Sequence, residues 1–145
     1  MKKLRFVFIL FAFVFFGCSS KENHKVKGEL LSLLDSKAKE ENANLQLEGL
    51  SLEWDSLLVI PPYTNLEKVK SSFKMDVEVL KGADIASRDN VCILAFVKSK
   101  KIVSYVEVPR KYDFSEVGNK LYSKDYTYKF IRDHETKFRY VIREK

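Results

Sequence analysis

The sequence predicts an α+β domain, with a mainly antiparallel sheet of about five or six strands and two or three helices packed on it. Short apolar or alternating segments follow one another without the long crossovers that parallel strands need. Two other segments carry apolar residues at helical spacing. The chain has 11 Phe and 7 Tyr but 5 Gly, which suits strands around a packed core. Its 145 residues are typical of one domain.

The first helix is predicted inside "VKGELLSLLDSKAKEEN", where four apolar residues recur at helical spacing: Leu30, Leu31, Leu34 and Ala38. A short apolar run from Leu57 to Ile60 then predicts a buried strand. Pro61 and Pro62 end this strand, because neither residue has an N–H to donate to a neighbouring strand.

A second helix is predicted after these prolines. Thr64 precedes Glu67 by the spacing of a capping box, in which the two side chains satisfy backbone N–H groups at a helix start. Its apolar stripe consists of Leu66, Val69 and Phe73. The same capping-box spacing recurs at Asp113 and Glu116 and predicts another short helix there.

Strands account for most of the remaining pattern. Met75, Val77 and Val79 alternate with acidic residues, which predicts a half-buried strand. Residues 81–90 form a polar loop. The segments 91–97 and 102–108 are predicted to form a hairpin across Ser99 and Lys100.

Two final strands are predicted near residues 125–132 and 137–143. If they pair antiparallel, the compact register sets Phe130 opposite Phe138 and Tyr128 opposite Tyr140. The opposite face then carries a possible partner surface of basic residues: Lys129, Lys137, Arg139 and Arg143. This face is either a solvated outer surface or a basic patch that meets an acidic partner or anionic headgroups.

The amino terminus has the pattern of a secretory signal. The apolar run from Phe6 to Phe16 is shorter than the roughly 20 residues that cross a bilayer. Lys2, Lys3 and Arg5 precede it, and the small residues Gly17 and Cys18 follow it. Basic, apolar and small residues in this order predict a leader that is cleaved.

The stretch "FFGC" resembles the lipobox of bacterial lipoproteins, in which a small residue precedes the modified cysteine. The resemblance implies cleavage before Cys18, a thioether-linked diacylglycerol on Cys18, and acylation of the new amino terminus by a fatty acid such as palmitate. Phe15 departs from the family, which usually has Leu there. The expected organisation is a signal peptide over 1–17, a lipidated tether over 18–25 and one domain over 26–145, held in the cell envelope outside the cytoplasm.

Charge and cysteine content agree with this organisation. Removal of the leader with its three basic residues lowers the formal net charge from +6 to +3. A charge this small does not indicate a nucleic-acid partner. Lipid on Cys18 leaves Cys92 as the remaining cysteine, so no internal disulfide is expected. Cys92 lies within "NVCILAFVK" and is predicted to be a small buried apolar side chain.

No catalytic arrangement is visible in the sequence. His24 and His134 have no His, Cys or acidic partner at the spacing of a zinc site, so neither a metal nor a cofactor is expected. No glycine-rich loop is suited to a phosphate, and no serine lies in a nucleophile elbow.

The segment "WDSLLVIPPYT" resembles one found in small uncharacterised envelope lipoproteins, through Trp54, Asp55, Pro62, Tyr63 and Thr64. The resemblance implies a family type without an activity. From the residues themselves, Trp54 is expected to bury its ring and donate its N–H. Asp55 is expected to cap a local turn. The alternative is a ligand groove formed by Trp54, Asp55 and Tyr63.

The function expected from the sequence is that of a membrane-tethered, non-enzymatic lipoprotein whose domain binds an envelope protein or serves a structural role. One alternative is an envelope hydrolase or a protein that binds a small ligand. The other is an inhibitor or immunity-type lipoprotein that forms a tight complex with one target.

Overall fold

The computed structural model describes residues 22–40, 43–133 and 139–142. Its helices and strands are α1 His24–Lys37, β1 Ser56–Ile60, α2 Leu66–Phe73, β2 Val91–Lys98, β3 Lys101–Pro109, β4 Lys120–Ser123, β5 Phe130–Asp133 and β6 Arg139–Ile142. Short 3₁₀-helices cover Glu78–Ala83, Ile85–Ser87, Ser115–Val117 and Lys124–Lys129. The predicted α+β class with an antiparallel sheet is confirmed.

The main sheet has the strand order β3-β2-β1-β4, and every neighbouring pair is antiparallel. β5 and β6 form a separate two-stranded sheet. Nearly every residue of β1 and β2 is buried, so these two central strands are covered on both faces. Apolar layers on each side of one sheet explain why both strands appear in the sequence as continuous apolar runs.

Each face of the main sheet supports its own core. On the first face, α1 buries Val26, Leu30 and Leu34 against β1, β2 and the two-stranded sheet. Phe130 of β5 and Tyr140 of β6 belong to this core. On the second face, α2 and the 3₁₀-helices Glu78–Ala83 and Ile85–Ser87 pack against alternate strand residues. The buried members of this layer include Val69, Met75, Val77, Leu80 and Ile85.

Helix α1 begins slightly before the predicted domain boundary. Asn23 is its N-cap, and its side-chain oxygen accepts a hydrogen bond from the Val26 N–H at 3.2 Å. His24 and Lys25, which were assigned to the tether, are therefore helical. Ala38, the last residue of the predicted apolar stripe, is the C-cap. No helix within the described ranges has the length and hydropathy that crossing a bilayer requires.

The predicted cap of α2 is wrong by one residue. Asn65 is the N-cap, and its side chain accepts from the backbone N–H of Glu67 at 2.9 Å and of Lys68 at 3.4 Å. The Thr64 hydroxyl instead donates to the Pro61 carbonyl at 2.7 Å and closes the turn before the helix. Asn is as effective an N-cap as Ser or Thr, so the sequence offers two adjacent capping residues.

The β2–β3 hairpin and the burial of Cys92 are confirmed. The strand predicted over Met75–Val79 is wrong. Met75 and Val77 are buried on the second face of the sheet, but Glu78–Ala83 is a 3₁₀-helix. Alternating burial can arise wherever an irregular segment lies over an apolar layer, because burial of alternate side chains does not require strand pairing.

The carboxyl-terminal strands differ most from the prediction. Residues 124–129 form a 3₁₀-helix, so the predicted strand near 125–132 is shortened to β5. Phe130 pairs with Ile142, four residues beyond the predicted partner Phe138, which lies outside the described residues. β4, which pairs with β1, was not predicted, because its four residues are mostly exposed and resemble a loop.

Candidate functional site

Trp54 lies in the first core at the entry of β1. Its side chain is almost fully buried, and its ring meets Phe96 edge to face with the centroids 5.3 Å apart. The Lys124 ammonium lies 5.2 Å from the centre of the same ring. The predicted hydrogen bond is absent, because the indole Nε1 has no partner among the described residues. Trp54 is thus a packing residue, and its ring is not available to a ligand.

Asp55 caps a turn that is distant in sequence, and not the local turn that was predicted. Its Oδ2 accepts from the Ser99 N–H at 2.8 Å, and its Oδ1 accepts from the Ser56 hydroxyl at 2.9 Å. The Ser99 backbone hydrogen bond, followed by that of Ser56, lowers the pKa of the Asp55 carboxyl. The carboxylate therefore links β1 to the β2–β3 turn.

Tyr63 lies beyond the opposite end of β1 from Trp54 and Asp55. The five residues of β1 span roughly 15 Å at the rise of an extended chain. The predicted groove of Trp54, Asp55 and Tyr63 is therefore not formed. Tyr63 is 63% exposed, and its φ of 59° lies in the left-handed region that favours glycine. Its N–H donates to the Ile85 carbonyl at 3.0 Å, which holds the turn in place.

Tyr63 borders a shallow cleft of about 380 Å³ between this turn and α2. This Tyr63 cleft is lined by Pro61, Pro62, Tyr63, Thr64, Asn65, Lys68, Val69, Ser72, Phe73 and Asn119. Beside the cleft, Gly118 packs closely on Pro61, because a Cβ on Gly118 would lie 2.8 Å from the Pro61 ring. Among the three residues of the predicted groove, Tyr63 is the one that lines this cleft.

A larger cleft of about 670 Å³ lies between β4 and β6. This Tyr122 cleft is lined by Glu116, Val117, Lys120, Leu121, Tyr122, Ser123, Tyr126 and Val141. It combines apolar and aromatic walls with an acid, a base and a hydroxyl. Sequence reasoning missed it because β4 was not recognised. No strand signal was available in "KLYS", because its apolar residues, Leu121 and Tyr122, are neighbours and do not alternate with polar ones.

Tyr122 anchors the wall of this cleft. Its hydroxyl donates to the Val117 carbonyl at 3.0 Å, and its ring stacks on that of Tyr126 at 5.7 Å. Burial, followed by the neighbouring Tyr126, raises the pKa of Tyr122 to about 12. The phenol therefore stays protonated at neutral pH and acts as a hydrogen-bond donor within the wall. Leu121 is 41% exposed at the rim of the cleft.

Of the four side chains in the predicted basic surface, the structure describes that of Arg139. The Arg139 side chain is exposed but lies 3.5 Å from an Asp113 carboxylate oxygen and 3.1 Å from one of Glu116. These two acids neutralise its charge, so Arg139 does not contribute an unpaired cation. The side chains of Lys129, Lys137 and Arg143, and the whole of Cys18, lie outside what the structure describes.

The described residues contain no group of three or more His, Cys, Asp or Glu side chains arranged to hold a metal ion. Cys92 is buried, and burial raises the pKa of its thiol. This keeps the thiol in its unreactive neutral form. Comparison of the chain with protein-family models, curated proteins and solved structures gave no match. The two clefts and their geometry are therefore the basis for the function proposed below.

Proposed function

We propose that this chain is a bacterial envelope lipoprotein, anchored through acyl chains on Cys18, whose domain is a non-enzymatic binding module. The observation that supports a binding role is the Tyr122 cleft, about 670 Å³ in volume, beside the edge strand β4. Ligand sites are typically concave, mostly apolar and roughly 300 to 1,000 Å³ in volume, with a few polar groups for orientation. The volume of this cleft falls in that range, and its lining combines apolar and aromatic side chains with the polar groups of Glu116, Lys120 and Ser123.

The position of β4 favours an extended polypeptide as the occupant. β4 is the last strand of the sheet, so one side of its backbone has no strand partner in the sheet. An extended segment that adds beside an edge strand gains backbone hydrogen bonds, while adjacent pockets select its side chains. Leu121 and Tyr126 would supply apolar contacts, and Lys120 would supply a charged one at the rim.

The anchor strengthens such binding without adding a contact. One acyl chain holds a protein only marginally on a bilayer, whereas two or more hold it stably. A domain confined to a surface meets partners in the same envelope at a raised effective concentration. A modest affinity in the cleft is then enough for occupancy.

Site-specific photo-crosslinking in cells tests this function. A photoreactive phenylalanine analogue is placed at Leu121, and the control carries it at Lys81, an exposed position on the second face of the sheet. We expect one discrete protein adduct from position 121, none from position 81, and less adduct when Cys18→Ser is added. Equal adducts at both positions, or none at 121, would refute the cleft as a binding surface for a polypeptide.

A small apolar ligand is the second candidate, since the cleft volume also suits one. Native mass spectrometry of protein extracted from membranes distinguishes the two candidates. A bound mass that disappears in Leu121→Lys would support the small ligand. A bare protein mass together with the crosslink at 121 would support the polypeptide.

A further inference from the structure

The start of the domain is fixed to the free edge of β3. The Glu107 N–H donates to Glu22 Oε1 at 3.0 Å, and the Lys27 ammonium lies 2.8 Å from the same oxygen. β3 is an edge strand, so this N–H has no strand partner in the sheet and is satisfied by the Glu22 carboxylate. The point at which the chain enters the domain is therefore defined by Glu107.

Strand register then relates this entry point to Tyr63. Glu107 pairs with Ile93, and Ile93 pairs with Ile60, so the three residues form one row across β3, β2 and β1. Two strand spacings separate Glu107 from Ile60, about 10 Å. Tyr63 follows Ile60, the last residue of β1, by three residues and lies in the turn after this strand. Glu22 and Tyr63 thus lie at the same end of the sheet.

The anchor sets a limit on how far this end can stand from a bilayer. Four residue steps separate Cys18 from Glu22, and they reach at most roughly 14 Å when fully extended. This inference rests on the proposed function, because it requires acyl chains on Cys18. With that anchor in the headgroup layer, the end of the sheet that holds Glu22 is kept next to the lipid.

We propose that the Tyr63 end of the domain docks on the bilayer that holds the anchor, with the Tyr63 ring in the headgroup layer. Tyrosine suits this position, because its ring is apolar and its hydroxyl remains hydrated at the membrane–water interface.

The charges at this end nearly balance. Glu22 pairs with Lys27, and Arg88 pairs with Glu107 at 2.8 Å. The exposed cations Lys25, Lys68 and Arg110 are accompanied by the exposed acids Glu67, Asp84 and Asp89. Docking therefore depends on the anchor and on Tyr63, and we expect it on phosphatidylcholine bilayers without anionic lipid.

Tryptophan fluorescence tests the orientation, because the chain has one native tryptophan, Trp54, and it is buried. Full-length protein extracted from membranes is reconstituted into phosphatidylcholine vesicles that contain a nitroxide-headgroup lipid. Reporters are Tyr63→Trp and, as a second variant at the same end, Lys68→Trp. The control is Val103→Trp, an exposed position on β3 about 13 Å from Glu107 towards the hairpin turn.

We expect both reporters to lose emission relative to vesicles without nitroxide, and Val103→Trp to retain it. Quenching of Val103→Trp equal to that of both reporters, or quenching of none of the three, would overturn the orientation. Flotation of the same samples tests the anchor separately. Protein that fails to float refutes lipidation of Cys18, whereas protein that floats without selective quenching refutes only the docking of the Tyr63 end.

Discussion

The Asp55 carboxylate holds the Ser99 N–H at 2.8 Å, and so connects the entry of β1 to the turn of the β2–β3 hairpin. Ser99 and Lys100 have φ values of 50° and 63°, so both residues of this two-residue turn are left-handed. That geometry matches the twist of paired strands but is normally occupied by Asn and Gly. The Asp55 contact thus stabilises a turn that has unfavourable residues.

Stability should depend on pH through Asp55. Its hydrogen bonds lower the pKa in the folded state, so the unfolded chain binds this proton at higher pH than the folded one. The contribution of the Asp55 carboxylate to the free energy of unfolding is complete above the pKa of the unfolded state, about 4. It is lost as pH falls through the lower pKa of the folded state. Denaturant unfolding between pH 6 and about 3 should therefore show a shallower acid loss in Asp55→Asn than in the wild type. Parallel curves would contradict this role.

Lys100→Gly should stabilise the domain. The left-handed conformation destabilises a residue with a Cβ by about 1 kcal/mol or more, and it does not destabilise glycine in this way. We expect the free energy of unfolding to rise by about 1 kcal/mol in denaturant titrations. The matched control, Lys101→Gly, lies in β3 and should lower it by about 0.5 to 1 kcal/mol. A loss of stability in both variants would mean that Lys100 is not left-handed.

Gly118→Ala should destabilise the domain. The added Cβ would lie 2.8 Å from Pro61 Cγ and 3.1 Å from the Ser115 carbonyl oxygen. Overpacking of this kind costs about 1 to 3 kcal/mol. Gly28→Ala is the control, because it lies within α1 with no atom within 4 Å of the new Cβ. That variant should gain about 0.5 to 1 kcal/mol from helix propensity. Thermal melts of the pair should shift in opposite directions.

Trp54→Ala should cost about 3 to 5 kcal/mol, the range for removing a large buried aromatic side chain. Domains of this size have about 5 to 15 kcal/mol of stability in total, so the variant should lose a large part of its stability and melt at a clearly lower temperature. Tyr63→Ala is the comparison at an exposed aromatic residue and should retain a cooperative melt. Circular dichroism of both proteins checks this. A wild-type melting temperature for Trp54→Ala would show that its ring is not part of the core.

Cys18→Ser should abolish fatty-acid labelling, because the proposed thioether needs the Cys18 sulfur. Metabolic labelling with a radioactive fatty acid, followed by gel electrophoresis, measures this. Cys92→Ala keeps Cys18 and removes a buried thiol, so it should still take up label. Equal labelling of Cys18→Ser and wild-type protein would refute the lipoprotein assignment.

The strands that were predicted correctly are those whose burial gives them a distinctive apolar pattern in the sequence. β1 and β2 are covered on both faces and appear as continuous apolar runs, and β3 follows β2 across a two-residue turn. β4 was missed because one of its four residues is buried, so its pattern does not differ from that of a loop. Its pairing with β1 depends on residues more than fifty positions away, which local patterns do not report.

The candidate sites were less predictable for the same reason. Trp54, Asp55 and Tyr63 are neighbours in a short motif, but an extended strand separates the first two from the third. Conversely, the Tyr122 cleft joins β4 to β6, whose pairing with β5 was predicted four residues out of register. For β5 and β6, the apolar pattern restricted the register to alternate positions but did not choose among them.

The central place of β1 determines when the main sheet can be completed. Ile60 pairs with Ile93, and Ser56 pairs with Ser123, so every ladder that β1 makes waits for residues synthesised much later. A nascent chain that ends before Lys120 leaves one edge of β1 without its strand partner. Sheets built from such distant pairings fold slowly. The amino-terminal half of this protein therefore cannot become a stable folding unit ahead of the rest of the chain.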